Sequence, residues 1–188
     1  MSNVVLVWDR FVRLFHWSIV VLFTLAYYTS SSGDDDIHAI AGYLMTVLLF
    51  LRIVWGLLST GYARFTQFLY PFQEIWQHGS QICCNNPRHY LGHSPMGSVM
   101  VFVLLLLILL LLLSGLISQG WGEYEGPLWF MGLMPSDEVG HITKYMHARL
   151  PDILIVIIVL HVAGVLLACY QHQENLVRSM FTGCKNKK

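Results

Sequence analysis

Charge is scarce in this chain. Only 12% of its 188 residues are Asp, Glu, Lys or Arg, against 55% hydrophobic ones, and a soluble domain carries about twice that charged fraction. Residues 14–33, 37–51, 89–122 and 153–173 hold no charged side chain at all. That excludes a soluble globular protein. Cysteine is sparse too: Cys83, Cys84, Cys169 and Cys184 form no C-x-x-C pair and no C-x-x-C-H run, so neither a thiol metal clip nor a thioether-linked group is encoded. Carboxylates are missing from the centres of the apolar stretches, which argues against an ion- or proton-coupled transporter. No internal repeat and no separate soluble domain is visible.

What is present is apolar sequence in spanning lengths. A bilayer core needs about twenty mostly apolar residues per helix, and four stretches qualify, at 12–32, 38–58, 97–119 and 147–171. The first is too long for the apolar core of a signal peptide and lacks a small-x-small cleavage site, so it is expected to be retained. The basic residues are lopsided. Arg10, Arg13, Arg52, Arg64, Arg88, Arg178, Lys185, Lys187 and Lys188 fall on one side, and only Lys144 and Arg149 on the other, beside Asp34, Asp35, Asp36, Glu123, Glu125, Asp137 and Glu138. The positive-inside rule places both termini in the cytoplasm. The cysteines then lie on the cytoplasmic side, where thiols stay reduced.

The connections differ in character. Met1–Phe15 mixes apolar and basic residues and suits the membrane interface. Thr29–Ile37 is a short polar outer turn. Ser59–Met96 is long and cytoplasmic; its aromatic stretch Phe65–Trp76 suggests an interfacial helix, and Pro87, Gly92, Pro95 and Gly97 break its end. The third span is nearly pure leucine from Leu104 to Leu113 and reads as a lipid-facing scaffold. Ser118–Met146, with Trp121 and Trp129, reads as a partly ordered outer cap.

Against this background four histidines stand out. His16 opens the first span, His38 the second, and His147 and His161 lie fourteen residues apart on the fourth. A helix returns to nearly the same face after fourteen residues, about 21 Å further along. Imidazoles are costly in hydrocarbon and mark a bound ion, proton path or cofactor there. With alternating span directions, His16 falls level with His161 near the cytoplasmic side and His38 with His147 near the outer side. Each pair can supply two axial nitrogens to one haem iron, and the lack of C-x-x-C-H makes the haems non-covalent. The spacing thus predicts an all-α membrane protein, a four-transmembrane-helix bundle binding two b-type haems, with residues 1–188 as a single di-haem domain.

The neighbours suit this. Gly42 follows His38 by four residues and Gly164 follows His161 by three, so a flat macrocycle can approach. Arg13 and Arg149 are candidates to pair with haem propionates. Pro151 removes the hydrogen bond to the His147 carbonyl, as a kink or a first turn would. His78, His89, His93, His141 and His172 lie in connections or at a span edge and read as solvated or hydrogen-bonded groups. His89 and His93 have zinc-ligand spacing only on a helix, which Gly92 and Pro95 disfavour.

Several segments together resemble the bacterial cytochrome b561 proteins and the cytochrome b subunits of nickel-iron hydrogenases and formate dehydrogenases. They are VWDRFVRLFHW at Val7–Trp17, HAIAGY at His38–Tyr43, RIVWGLLSTGYARF at Arg52–Phe65, LGHSPMG at Leu91–Gly97, the His147 to His161 spacing, and ENLVRSMFTGCK at Glu174–Lys185. The resemblance implies His16, His38, His147 and His161 as axial ligands of two haem b groups, and electron passage between the quinone pool (ubiquinone or menaquinone) and a periplasmic c-type cytochrome or enzyme subunit. It also implies a quinone site at the Leu91–Gly97 loop, with His93, Ser94 and Gly97 as candidates; Ser94 stands where the family usually has asparagine.

The expected function is transmembrane electron transfer in a respiratory chain of the bacterial inner membrane, with probable quinol oxidoreductase activity and a homodimer left open. His93, His172 and Glu174 are on the right side for proton exchange with a quinone, although a solvated role is the simpler one. Asp34–Asp36 would suit docking of a basic cytochrome. Two alternatives stay open: a haem-containing membrane anchor subunit of a larger dehydrogenase or hydrogenase, and a histidine-dependent transporter.

Overall fold

The computed structural model describes residues 4–84 and 88–186; Pro87, Lys187 and Lys188 lie outside them. The chain is mostly helical. In order it forms β1 (Val4–Leu6), α1 (Arg10–Ser32), α2 (Asp35–Leu58), two short 3-10 turns (Gly61–Ala63 and Phe65–Phe68), α3 (Phe72–Cys83), α4 (Pro95–Gly122), α5 (Gly126–Phe130), α6 (Asp137–His172), α7 (Leu176–Thr182) and β2 (Cys184–Asn186). Helices α1, α2, α4 and α6 are each long and apolar enough to cross a membrane. Many of their large apolar side chains face outward, among them Leu14, Phe50, Leu58 and Leu106, as lipid-facing helices require.

Local chemistry starts and stops these helices. Asp9 caps α1, its Oδ1 accepting from the Val12 N–H at 2.7 Å, and Asp34 caps α2 through the Ile37 N–H at 3.3 Å. Gly33, at φ +78°, ends α1, a left-handed position that glycine enters without penalty. Ser94 caps α4, its Oγ accepting from the Gly97 N–H at 3.2 Å, with Pro95 as the first helical residue, where a missing N–H costs nothing.

Helix α6 starts at Asp137, ten residues before the expected boundary, and runs through Pro151. Ser136 and the acidic pair Asp137 and Glu138 favour a helix N-terminus there. The aromatic stretch Phe65–Trp76 is not one helix. It breaks at Tyr70-Pro71, and α3 begins after Pro71, because a proline disfavours helical backbone in the residue before it.

The chain divides into two compact units, and the boundary falls within each long helix. One unit comprises Met1–Val20, Leu48–Val103 and Val159–Lys188; the other comprises Val21–Val47 and Leu104–Ile158. In the first, β1 pairs antiparallel with β2, Val5 opposite Lys185. The Gly183 carbonyl accepts from the Val7 and Trp8 N–H groups at 2.8 and 3.0 Å, which clasps the two ends of the chain. In the second, Tyr43 donates to Gln119 at 2.6 Å, and Trp121 donates to Asp137 at 3.0 Å. Gly140 leaves the space the Trp121 ring fills, since a Cβ there would lie 2.2 Å from it.

Candidate functional site

The second unit brings His38 and His147 together. Their ring centroids are 6.0 Å apart with planes at 84°. His38 Nδ1 lies 2.9 Å from the Ala26 carbonyl, and His147 Nδ1 lies 3.0 Å from the Leu111 carbonyl. A carbonyl only accepts, so both Nδ1 atoms carry the proton and both Nε2 atoms are left as bare lone pairs. This is how a metal-binding histidine is oriented and its tautomer set. Ser114 donates to the Leu111 carbonyl at 2.9 Å, and its Oγ lies 3.4 Å from His147 Nδ1. Gly115 makes room for the ring, because a Cβ there would come within 2.7 Å of His147 Cε1. Open space surrounds the Gly42 position.

Helix α4 therefore does more than face lipid. It buries Ser98, Ile108, Leu111, Leu112 and Ser114 and supplies the groups that hold His147. Sequence reading missed Ser114 and Gly115. Their signal was there: a small polar pair interrupting a leucine run in a membrane helix permits close approach.

The first unit holds His16 and His161. His16 Nδ1 is sealed from solvent without a hydrogen-bond partner among the described residues, and its ring meets Trp17 edge-on at 5.1 Å. Nothing lies within 4 Å of a Cβ built at Gly164. Here no carbonyl among the described residues sets the tautomer, and both rings are half-buried.

His93 is packed in the same unit, its ring centroid 4.6 Å from that of Trp8 and 4.4 Å from that of Phe68. Its Nδ1 is sealed without a partner, and Tyr70 donates to its carbonyl at 3.0 Å. Burial, with Arg52, Lys185 and His161 adding to it, pushes the His93 imidazole down to about 3. It is neutral at physiological pH and is no solvated surface group, contrary to the sequence expectation. His78 differs in the same way: it is buried, neither ring nitrogen has a partner, and burial lowers its basicity. Both sit under the aromatic segments of the long connection, which a linear pattern does not reveal.

The remaining candidates are placed as follows. Arg13 is held by main chain, its guanidinium donating to the Phe181 and Asp9 carbonyls, which leaves it less free for a propionate than expected. Arg149 is exposed, 5.7 Å from the Tyr145 ring centroid. Ser94 and Gly97 serve the α4 cap. His89 Nε2 meets Glu174 at 3.3 Å, and its ring lies 5.5 Å from that of His172. A cavity of about 350 Å³ is lined by Tyr62, Tyr70, His89, Tyr90 and His93 among others.

Sequence comparison supplies what geometry alone does not. Residues 7–183 match the family described as prokaryotic cytochrome b561. The chain belongs to this family. It is a haem-containing, multi-pass membrane electron-transfer protein. A relative described as a probable Ni/Fe-hydrogenase B-type cytochrome subunit, from Rhizobium leguminosarum bv. viciae, is 26% identical over 214 residues, covering 95% of this chain and 87% of the relative. No solved structure matches.

Haem b fits the residues of this cytochrome b561-family protein. Its iron would be bonded by His38 and His147, whose ring centroids stand 6.0 Å apart. Both Nε2 atoms are free for that bond, and Gly42 leaves room alongside. His16 has an orphaned ring nitrogen and His161 has the open position at Gly164.

Proposed function

We propose that this protein carries electrons across the bacterial inner membrane between the quinone pool and a periplasmic redox partner, acting as one di-haem domain over residues 1–188. The observation that carries the reading is the facing of His38 and His147 with both Nδ1 protons committed to carbonyls. His38 and His147 would hold one haem b, and His16 and His161 a second, both non-covalently. When bound, haem b supplies one-electron redox chemistry at iron. The protein's residues ligate, orient and exclude water. The bias of basic residues puts both termini, with His16 and His161, on the cytoplasmic side.

The cavity beside His93 is the quinone site of this reading. His93 is neutral there and can share a hydrogen bond without introducing a charge. Quinone chemistry needs protons, and His89, which lines that cavity, contacts Glu174 and His172, side chains that can carry them. The exposed carboxylates of Asp35 and Asp36 give the opposite side a negative face for a basic partner. A second reading, favoured by the name of the Rhizobium relative, makes the chain the membrane subunit of a larger redox enzyme. The two differ in what receives the electrons.

The test is an absorption spectrum of the purified protein followed by addition of a quinol. Reduced b-type bands and quinol-driven reduction are expected. A protein without b-type absorption overturns the ligand assignment; haems that no quinol reduces overturn the quinone site.

A further inference from the structure

We propose that Arg52 is the counter-ion for a propionate of the haem held by His16 and His161. The inference rests on the di-haem reading above. Arg52 follows His38 on α2 by fourteen residues, the same step that separates His147 from His161 on α6, so it returns to the face that carries His38 about 21 Å along the helix. That face is the buried one, running through Ala41, Met45, Leu49, Arg52, Gly56 and Ser59. α2 thus presents an imidazole at one step and a guanidinium at the next.

Arg52 is 3% exposed and its Nη1 has no hydrogen-bond partner among the described residues. A charge buried away from water needs a partner of opposite sign. No carboxylate among the described residues is in ion-pair contact with it. The carboxylate that acts on Arg52 belongs to Asp9, and both its oxygens are engaged, Oδ1 by the Val12 N–H at 2.7 Å and Oδ2 by Trp55 Nε1 at 2.9 Å.

The side chain is nevertheless held in place. Phe65 lies under it, the guanidinium carbon 4.8 Å from the ring centroid. Gly56, one turn along α2, admits that ring, since a Cβ there would lie 2.3 Å from it. Arg52 lies in the same compact unit as His16 and His161, whereas His38 and His147 lie in the other, so the cation belongs to the His16 and His161 level. Haem b brings carboxylates with it, and a planar guanidinium binds a carboxylate through two parallel N–H bonds. Arg13, the residue that sequence position favours for this role, already donates its Nε and Nη1 to main-chain carbonyls.

The experiment measures haem per chain and the midpoint potential of each haem in detergent-purified protein. His16→Ala sets the reference and should remove one haem of the two. In a His38→Ala background, which keeps only the haem at His16 and His161, Arg52→Gln should lower that haem's potential or cause its loss, because removing a nearby cation favours the oxidised, more positive iron. Arg52→Lys keeps the charge without the planar fork and should retain the haem with a smaller shift. A folded Arg52→Gln protein with that haem present at an unchanged potential overturns the proposal. Should Arg52→Gln not fold, an Arg52→Lys protein with unchanged haem content and potential overturns it as well. If His16→Ala keeps both haems, the ligand assignment itself fails, and Arg52 with it.

Discussion

His38 and His147 face each other at 6.0 Å between ring centroids, and each gives its Nδ1 proton to a main-chain carbonyl, of Ala26 and of Leu111. Two imidazoles so arranged have their Nε2 lone pairs in reserve. The consequence is a site whose tautomers are set by backbone, so that at the proposed haem site affinity would depend on residues that never touch the iron.

Gly115→Ala is such a case. The new methyl would lie 2.7 Å from His147 Cε1, against rigid ring and helix backbone, so the imidazole must turn off its carbonyl. We expect the haem at His38 and His147 to be lost or its potential to move while the other is unaffected, with an overpacking cost of about 1–3 kcal/mol. Redox titration of the purified variant reads this; two unchanged potentials would contradict it.

Replacing His161 by alanine separates the two levels. One haem should remain, on His38 and His147, and haem per chain should fall by about half if each iron depends on its own histidine pair. Pigment assay of the variant decides, and retention of both haems breaks the pairing.

Acid should unfold the protein partly through His93. Its folded-state value of about 3 lies below the 6.5 of an unperturbed imidazole, so between those values the unfolded chain binds more protons. Stability contributed by the neutral ring is present above pH 6.5 and falls as pH drops towards 3, by up to about 5 kcal/mol in total. His93→Phe, which keeps an aromatic ring between Trp8 and Phe68, should flatten that part of the thermal-stability profile. An identical pH dependence in the variant would show that other groups carry it.

Gly56→Ala probes the seat of Arg52. The added methyl overlaps the Phe65 ring at 2.3 Å, and we expect a loss of about 1–3 kcal/mol from overpacking, measured by thermal unfolding in detergent. A variant as stable as the parent would mean that the ring relocates freely.

Sequence alone determined the four membrane helices and singled out the four histidines. Long uncharged runs have one stable environment, and an imidazole within such a run needs a reason to be there. The helix ends were less legible: α6 begins at Asp137 because a cap and an acidic first turn outweigh low hydropathy, and Pro71 divides an aromatic stretch that looked continuous. Tertiary structure alone decided that Arg52 is buried, that the His93 ring packs against Trp8 and Phe68, that Ser94 is a helix cap, and that Leu111, Ser114 and Gly115 serve His147. Hydropathy is a property of a segment and can be summed along the chain. A hydrogen bond to a main-chain carbonyl, or a missing Cβ that admits a ring, depends on which helix lies opposite, and a linear pattern carries no record of that.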